Sequence, residues 1–340
     1  MVRMGLVGMG FMGQQHFAIH QGLENVELVA VCDENPSKVA ELSPAVGGNI
    51  GDGTELDLSA QTRYGCADEM LDNEELDCVD VCVPTYRHAD VSVAALEAGC
   101  HCIVEKPMGR SVADCDRMIS AAQTTGGMLF VGQCIRFWPE YEVLAEMVSN
   151  GDLGRVASAR FTRISSPPTW SEGGWLLDTE LSGGALMDLH IHDADFVLAL
   201  FGRPHAVMTQ ANNVLTSGEK VDHVFTTYFY DDLVCTAEGG WAMPQSVPFE
   251  MGFQVLGDKG LLELSLAKDP PLTFYPADGE PYSRDCAEQT GFEREIAYFV
   301  NCIENDRPPQ RVTPQSAREA VELVLAEHQS AQSGQVVAIG

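Results

Sequence analysis

The sequence predicts an α/β protein: a doubly wound parallel sheet of the Rossmann type over residues 1–133, then an α+β domain over residues 134–340 built on an open, mainly antiparallel sheet. Three observations carry this. The chain, at 340 residues, exceeds the usual size of one hydrophobic core. Short β-branched runs alternate with helix-like segments as far as residue 133. Beyond that point the runs alternate apolar with polar residues, or are broken by tight turn signals such as Asp231-Asp232 and Gly257-Asp258.

In chain order, "RMGLVG", "VELVAVCD", "LDCVDVCVP", "CHCIVEKP" and "MLFVGQ" read as the parallel strands. The segments between them, "FMGQQHFAIHQG", "NPSKVAEL", "HADVSVAALEAG" and "SVADCDRMISAAQTTGG", read as helices. The last opens with Ser111 as N-cap and Asp114 as its third-position acidic partner. Ser43 to Gln61 is rich in glycine and aspartate and too long for an ordinary connection, so an inserted surface loop is expected there. After an amphipathic helix, "PEYEVLAEMVSNGDLG", come the runs of the second sheet: "RVASARFTRI", "HVFTTYFYDDLVCTAEGGWAM", "FEMGFQVLGDKGLLELSL" and "PLTFYP". A helix from Gly183 to Phe201 interrupts them, and helices around 291–305 and 314–332 follow. With no linker between them, the domains are expected to share an interface with a cleft.

Fifty acidic residues against twenty basic ones give a net charge of −30, which disfavours nucleic acid and anionic membranes as partners. The start of the chain shows no signal-peptide pattern and no apolar run reaches membrane-spanning length, so a cytoplasmic protein is expected. The eleven cysteines are scattered, mostly in apolar runs, as small buried hydrophobes of a reducing compartment are. Cys100 and Cys102 flank His101, but strand alternation sends His101 to the opposite face, and no metal site is expected.

The first strand-helix turn reads Gly8-x-Gly10-x-x-Gly13, where glycines allow a tight turn and close approach of a pyrophosphate to the helix N-terminus formed by Phe11 and Met12. The second strand ends in Asp33, twenty residues past Gly13, where a carboxylate binds ribose hydroxyls and repels a 2′-phosphate. NAD is expected, with NADP possible because Ser37 and Lys38 lie nearby. Pro84, Thr85 and His88 stand at the same sheet edge; His88 either caps the next helix or approaches the nicotinamide. Glu105 and Lys106 end a buried strand before Pro107, which disfavours helical backbone at Lys106 and is compatible with a cis bond.

"SGGALMDLHIHDADFVLALFG" places Asp188, His192 and Asp195 on one face of an otherwise apolar helix. Buried without partners such groups cost several kcal/mol, so the stripe needs a reason. A structural network, a metal site and a catalytic acid/base pair all fit the residues, and histidine beside a carboxylate suits the third. The spacing His190-x-His192 is shared with metal amidohydrolases, but there it ends a barrel strand.

Together, "GLVGMGFMG", "EKP" and "GGALMDLHIHDADFVLALFG" resemble the Gfo/Idh/MocA family, the glucose/fructose oxidoreductases, inositol dehydrogenases and related sugar dehydrogenases, over essentially the whole chain. The resemblance implies NAD(P)-dependent hydride transfer between a nicotinamide and a secondary hydroxyl or ketone of a sugar, inositol or derivative. It implies Lys106, Asp188 and His192 as the catalytic and substrate-binding set, with Asp195 in support. His190 stands where many members have glycine, and is expected to line the pocket. Gln133, Arg136, Trp170 and Trp175 are further expected near substrate, Arg136 and Trp175 as contacts. The family implies a homodimer or homotetramer packed through the open sheet. Relatives that use bound NAD for redox-neutral glycoside hydrolysis, and a non-catalytic NAD-binding regulator, are the alternatives.

Overall fold

The computed structural model describes residues 1–48, 53, 55–215 and 221–340, which form two compact units. The first comprises residues 1–133, 169–175 and 292–318. Its strands are β1 (Val2–Val7), β2 (Val26–Cys32), a short pair β3 (Leu42–Ser43) and β4 (Leu56–Asp57), then β5 (Thr62–Tyr64), β6 (Cys78–Val81), β7 (His101–Glu105) and β8 (Leu129–Gly132). Six of them form a parallel sheet in the order β5-β2-β1-β6-β7-β8. The order reverses at β1 and β6, the topological switch point where ligands of doubly wound sheets bind. Around the sheet lie α1 (Phe11–Gly22), α2 (Ala67–Asn73), α3 (His88–Glu97) and α4 (Val112–Thr125). The strands are nearly continuous apolar runs because both faces are covered: Met4, Leu6, Val79, Val81, Ile103, Val104, Phe130 and Val131 are all buried.

Three expectations need correction. The segment 35–42 is not a helix: Asn35 Oδ1 accepts from the Ser37 amide (3.1 Å) and hydroxyl (2.8 Å), a side-chain turn that competes with helical pairing. Within the expected insertion 43–61, β3 and β4 pair antiparallel, while residues 49–52 and 54 lie outside the described residues. Finally, the second domain is not continuous from 134 to 340, because 169–175 and most of α8 (Gly291–Glu304) belong to the first unit. The apolar side of α8 carries this return: the Phe299 ring packs 4.9 Å from that of Phe130 on β8.

The second unit holds residues 134–168, 176–291 and 319–340. Its strands are β9 (Val156–Ile164), β10 (Ala206–Asn212), β11 (His223–Phe229), β12 (Val234–Gly240), β13 (Glu250–Gly257), β14 (Gly260–Ser265), β15 (Leu272–Pro276), β16 (Tyr282–Ser283) and β17 (Val337–Ala338). They form one open sheet in the order β16-β15-β14-β13-β9-β12-β11-β10-β17, antiparallel except where β9 runs parallel to β12. Helices α5 (Pro139–Ser149) and α7 (Ile191–Phe201) cover one face, with Tyr141 set edge-on against Phe196 (4.9 Å) and Phe253 (5.1 Å). Among the described residues, the other face stays open. Along β11, Val224, Thr226 and Tyr228 are buried while Phe225 and Phe229 are exposed. Register places Phe229 beside Val234, Val234 beside Ser158 and Ser158 beside Leu256, so three exposed apolar residues lie in one row across four strands. Among the described residues, no helix is long and apolar enough to cross a membrane.

Candidate active site

In the first unit the glycine loop joins β1 to α1. Gly8 has φ = +98°, and a Cβ on it would meet the Cys82 carbonyl oxygen at 2.5 Å. A Cβ on Gly13 would run into the Gly8 carbonyl, whereas one on Gly10 would meet nothing within 4 Å. Gly8 and Gly13 thus close the turn on itself, and Gly10 keeps the backbone open to an approaching group. Gly10 is also the N-cap of α1, with no side-chain cap and no acidic residue in the first turn. That uncapped helix end fits a pyrophosphate. Asp33 stands at the end of β2 and accepts from the Met9 amide (2.8 Å) and the Asn35 amide (2.8 Å), with Lys38 Nζ 3.8 Å away. Phe11 packs 5.4 Å from the Trp170 ring, and Glu172 bonds both Asn35 and Lys38. Residues 169–175 therefore lie along the dinucleotide loop, and Trp170 belongs to the cofactor side.

At the end of β7, Lys106 is half-buried and precedes a cis peptide to Pro107. Glu105 is buried; its Oε2 accepts from the Lys106 amide (3.0 Å) and its Oε1 lies 3.1 Å from His16 Nε2. Pro84 precedes a 3₁₀ turn, Thr85–Arg87, whose Thr85 is buried. His88 is buried with Nδ1 2.8 Å from the Pro107 carbonyl and Nε2 2.9 Å from that of Val83. Burial holds its pKa below the ordinary histidine value. His88 does not cap the next helix: its ring lies between the Pro107 and Val83 carbonyls and donates to one of them.

In the second unit, the stretch 186–201 is not one uniform α-helix. Leu186–His190 forms a π-helical turn that leads into α7, a form that recurs at functional sites. His190 sits in the wider turn against β12, where a Cβ on Gly239 would collide with its ring. It is fully buried, its Nε2 2.9 Å from Glu327 Oε2 and 3.3 Å from the Tyr228 hydroxyl, so it does not line a pocket as expected. Asp193, also buried, receives two bonds from Arg163, from Nε at 2.8 Å and Nη2 at 3.2 Å. Asp195 faces the same segment, Cys134–Phe137, as His192, but it is buried and takes two bonds from Arg136, at 2.7 and 2.6 Å. Burial favours the neutral forms of both partners, but Asp195 outweighs it and raises the Arg136 pKa.

Asp188 and His192 are the two acid or histidine side chains of this stretch left half-buried, with His192 Nδ1 4.0 Å from Cys134 Sγ. Arg136, expected to touch substrate, is nearly buried and committed to Asp195. Trp175 is half-buried in a 3₁₀ segment, Glu172–Leu177. Gln133 is buried with both amide atoms lacking a hydrogen-bond partner. The sequence reading did not single out His16, His20, Asp80 and Glu295, which cluster with Glu105 inside the first unit. The four-residue spacing of two histidines on α1 was the signal for them.

The glycine loop and Asp33 make the first unit a dinucleotide-binding Rossmann unit, and the open-sheet unit carries a helix with a histidine and a carboxylate. One family model, an oxidoreductase family with an NAD-binding Rossmann fold, matches residues 2–133, and the Gfo/Idh/MocA C-terminal domain matches 141–263. The chain belongs to the Gfo/Idh/MocA family. It is 28% identical to myo-inositol 2-dehydrogenase of Thermotoga maritima over 220 residues, covering 64% of this chain and 60% of that enzyme. With D-glucoside 3-dehydrogenase of Escherichia coli it shares 27% identity over 98% of this chain and 96% of the relative. The WlbA dehydrogenase of Bordetella pertussis, solved with NADH and UDP-GlcNAcA, has the same fold with a TM-score of 0.80, 20% identity, and coverage of 100% and 99% of the two chains.

Proposed function

We propose that this protein is an NAD-dependent dehydrogenase acting on a secondary hydroxyl of a sugar, inositol or related polyol, or on the ketone in reverse. The observation that carries the reading is the sorting of one helix: His190, Asp193 and Asp195 are buried against partners, while Asp188 and His192 stay half-buried. When bound, NAD supplies the acceptor for the hydride leaving the carbinol carbon. His192 takes the hydroxyl proton as the carbonyl forms, because an imidazole exchanges protons near neutral pH. Lys106 donates a hydrogen bond to the reacting oxygen and stabilises its developing negative charge. Asp188 orients substrate or imidazole. Trp175 offers a face for the sugar ring, and Arg136 serves by anchoring α7 through Asp195.

Asp33 at the ribose position favours NAD, and Lys38 beside it leaves NADP as the weaker cofactor. The row Phe229, Val234 and Leu256 on the open sheet supports assembly through that face into a homodimer or homotetramer. Light scattering that returns the monomer mass at micromolar concentration would remove that part. Eleven cysteines outside disulfides support a cytoplasmic setting.

The test is NADH formation with a panel of inositols, aldoses, anhydrosugars and glycosides. Lys106→Ala and His192→Ala are each expected to lower kcat by about 10²–10⁴-fold while NAD still binds. Turnover of a glycoside without net NADH would replace the dehydrogenase with a redox-neutral hydrolase. Activity retained in both variants would refute the assignment of the site.

A further inference from the structure

His16 and His20 stand one helical turn apart on α1, and Asp80 and Cys82 stand two residues apart along β6 and its first following position. Helix spacing and strand alternation therefore turn four ligand-type side chains toward one another. Asp80 Oδ2 lies 2.8 Å from His16 Nδ1 and 2.7 Å from His20 Nε2. Cys82 Sγ lies 3.4 Å from His16 Nδ1 and 3.6 Å from Asp80 Oδ1. The remaining nitrogen of His16, Nε2, faces Glu105 Oε1 at 3.1 Å. Beyond it, Glu295 is 1% exposed, and among the described residues neither of its carboxylate oxygens has a hydrogen-bond partner; nor does His20 Nδ1.

Three buried carboxylates and a thiol here face two imidazoles, and a buried carboxylate is stable only when paired, hydrogen-bonded or neutralised. A divalent cation among Asp80, the thiol and the two imidazoles adds the positive charge this group is short of, while the unpartnered Glu295 oxygens and His20 Nδ1 lie outside its ligand set. We propose that this cluster is a zinc-class cation site, with the Cys82 thiolate, His16 Nδ1, His20 Nε2 and an Asp80 oxygen as its four ligands. One thiolate, two neutral imidazoles and one carboxylate form a set that selects zinc over magnesium or calcium. Glu105 on His16 Nε2 is the carboxylate that a metal-bound histidine commonly carries on its other nitrogen.

With metal–ligand bonds of about 2.0–2.3 Å, tetrahedral ligand atoms sit roughly 3.3–3.7 Å apart. The Cys82 distances, to His16 Nδ1 and Asp80 Oδ1, lie in that range; the histidines face Asp80 Oδ2, so their two distances need to open by about half an ångström and the carboxylate has to turn to present one oxygen to the metal beside Cys82. Binding releases the Cys82 thiol proton and the proton held between Asp80 and the imidazoles, leaving both rings neutral. The site pins α1, whose first turn is the dinucleotide loop, to β6, and through Glu105 to the strand end that carries Lys106. Its role is structural and independent of the dehydrogenase reading.

The full chain, purified without a metal-affinity resin, is unfolded in guanidinium with chelator and refolded with no metal, zinc or cobalt. Elemental analysis is expected to find stoichiometric zinc in the wild type, lost from Asp80→Asn and His20→Gln. The cobalt form is expected to show tetrahedral visible bands and a thiolate charge-transfer band that Cys82→Ser removes. Zinc well below stoichiometry in refolded wild type overturns the proposal and leaves a proton-sharing network in its place. A cobalt spectrum unchanged by Cys82→Ser overturns the ligand assignment. Both readings use the wild type or a conservative thiol change, so a misfolded Asp80 variant does not decide the matter.

Discussion

The two units bury charge in opposite ways. In the second, each buried charge on the stretch 186–201 meets a partner from another element: Asp193 meets Arg163, Asp195 meets Arg136 and His190 meets Glu327. In the first, His16, His20, Asp80, Glu105 and Glu295 gather, and among the described residues Glu295 has a partner for neither carboxylate oxygen, where His190 and Glu327 each leave a single atom, Nδ1 and Oε1, without one. The paired network immobilises a helix so that Asp188 and His192 are presented in a fixed way. The open cluster sits beneath a glycine loop that must accept something from outside. Fixed positioning and open valence are thus separated between the units.

The most severe way to break the contrast is Arg163→Met. Asp193 would remain buried without its bidentate partner, and the neighbouring Tyr141 hydroxyl, 3.2 Å from Arg163 Nη2, would lose its donor. About 3–5 kcal/mol of stability is expected to disappear in urea unfolding. The double variant Arg163→Met/Asp193→Leu should recover most of it, since no buried charge is left unpaired. A single-variant loss below about 1 kcal/mol would show that the network is not paired in the sense described.

Glu327→Gln probes the same network through pH. Burial lowers the His190 pKa, but Glu327 outweighs burial and the net shift is upward from 6.5. A histidine raised on folding stabilises fully below its unfolded pKa, about 6.5, and this contribution fades as pH rises through the folded pKa. The stability gap between wild type and Glu327→Gln should therefore be widest below about pH 6.5, on the order of 1–3 kcal/mol, and narrow on the alkaline side. Unfolding midpoints measured across that range check it, and a gap independent of pH would mean that His190 stays neutral.

What the sequence made legible followed from local rules. The glycine loop, Asp33, the Ser111 cap and the alternation of β11 each rest on residues within one turn or one strand. What stayed hidden depended on long-range partners. Arg136, Arg163 and Glu327 reach the helix from 59, 30 and 137 residues away (327 − 190), so the spacing of Asp188, His192 and Asp195 alone could not sort exposed from buried. The π turn was invisible to a 3.6-residue periodicity. The three-residue strand β5 is too short to show a pattern, and Asn35 turned an expected helix into a side-chain-stabilised turn.

Two helix starts in the first unit sharpen the contrast further. At α4, Ser111 Oγ accepts from the Asp114 amide at 3.1 Å, and its hydroxyl donates to Asp114 Oδ2 at 2.7 Å. Ser111→Ala is expected to cost about 1 kcal/mol without changing NAD affinity. Equal losses of stability and of NAD binding would mean that α4 also supports the cofactor.

At α1 the corresponding position is Gly10, in the extended conformation (φ −75°, ψ −165°) usual for an N-cap. A Cβ there meets no atom within 4 Å, so Gly10→Ser fits without strain and places a hydroxyl where it accepts from the Met12 or Gly13 amide. The variant is expected to stabilise the cofactor-free protein by only a few tenths of a kcal/mol, since glycine is itself a tolerable cap. It should nevertheless weaken NAD binding by calorimetry, because the new hydroxyl occupies the amides a pyrophosphate needs and fills the space through which it approaches. Opposite signs for stability and affinity would show that the helix end is left bare for a ligand. A gain in both would mean that the pyrophosphate is held elsewhere in the loop.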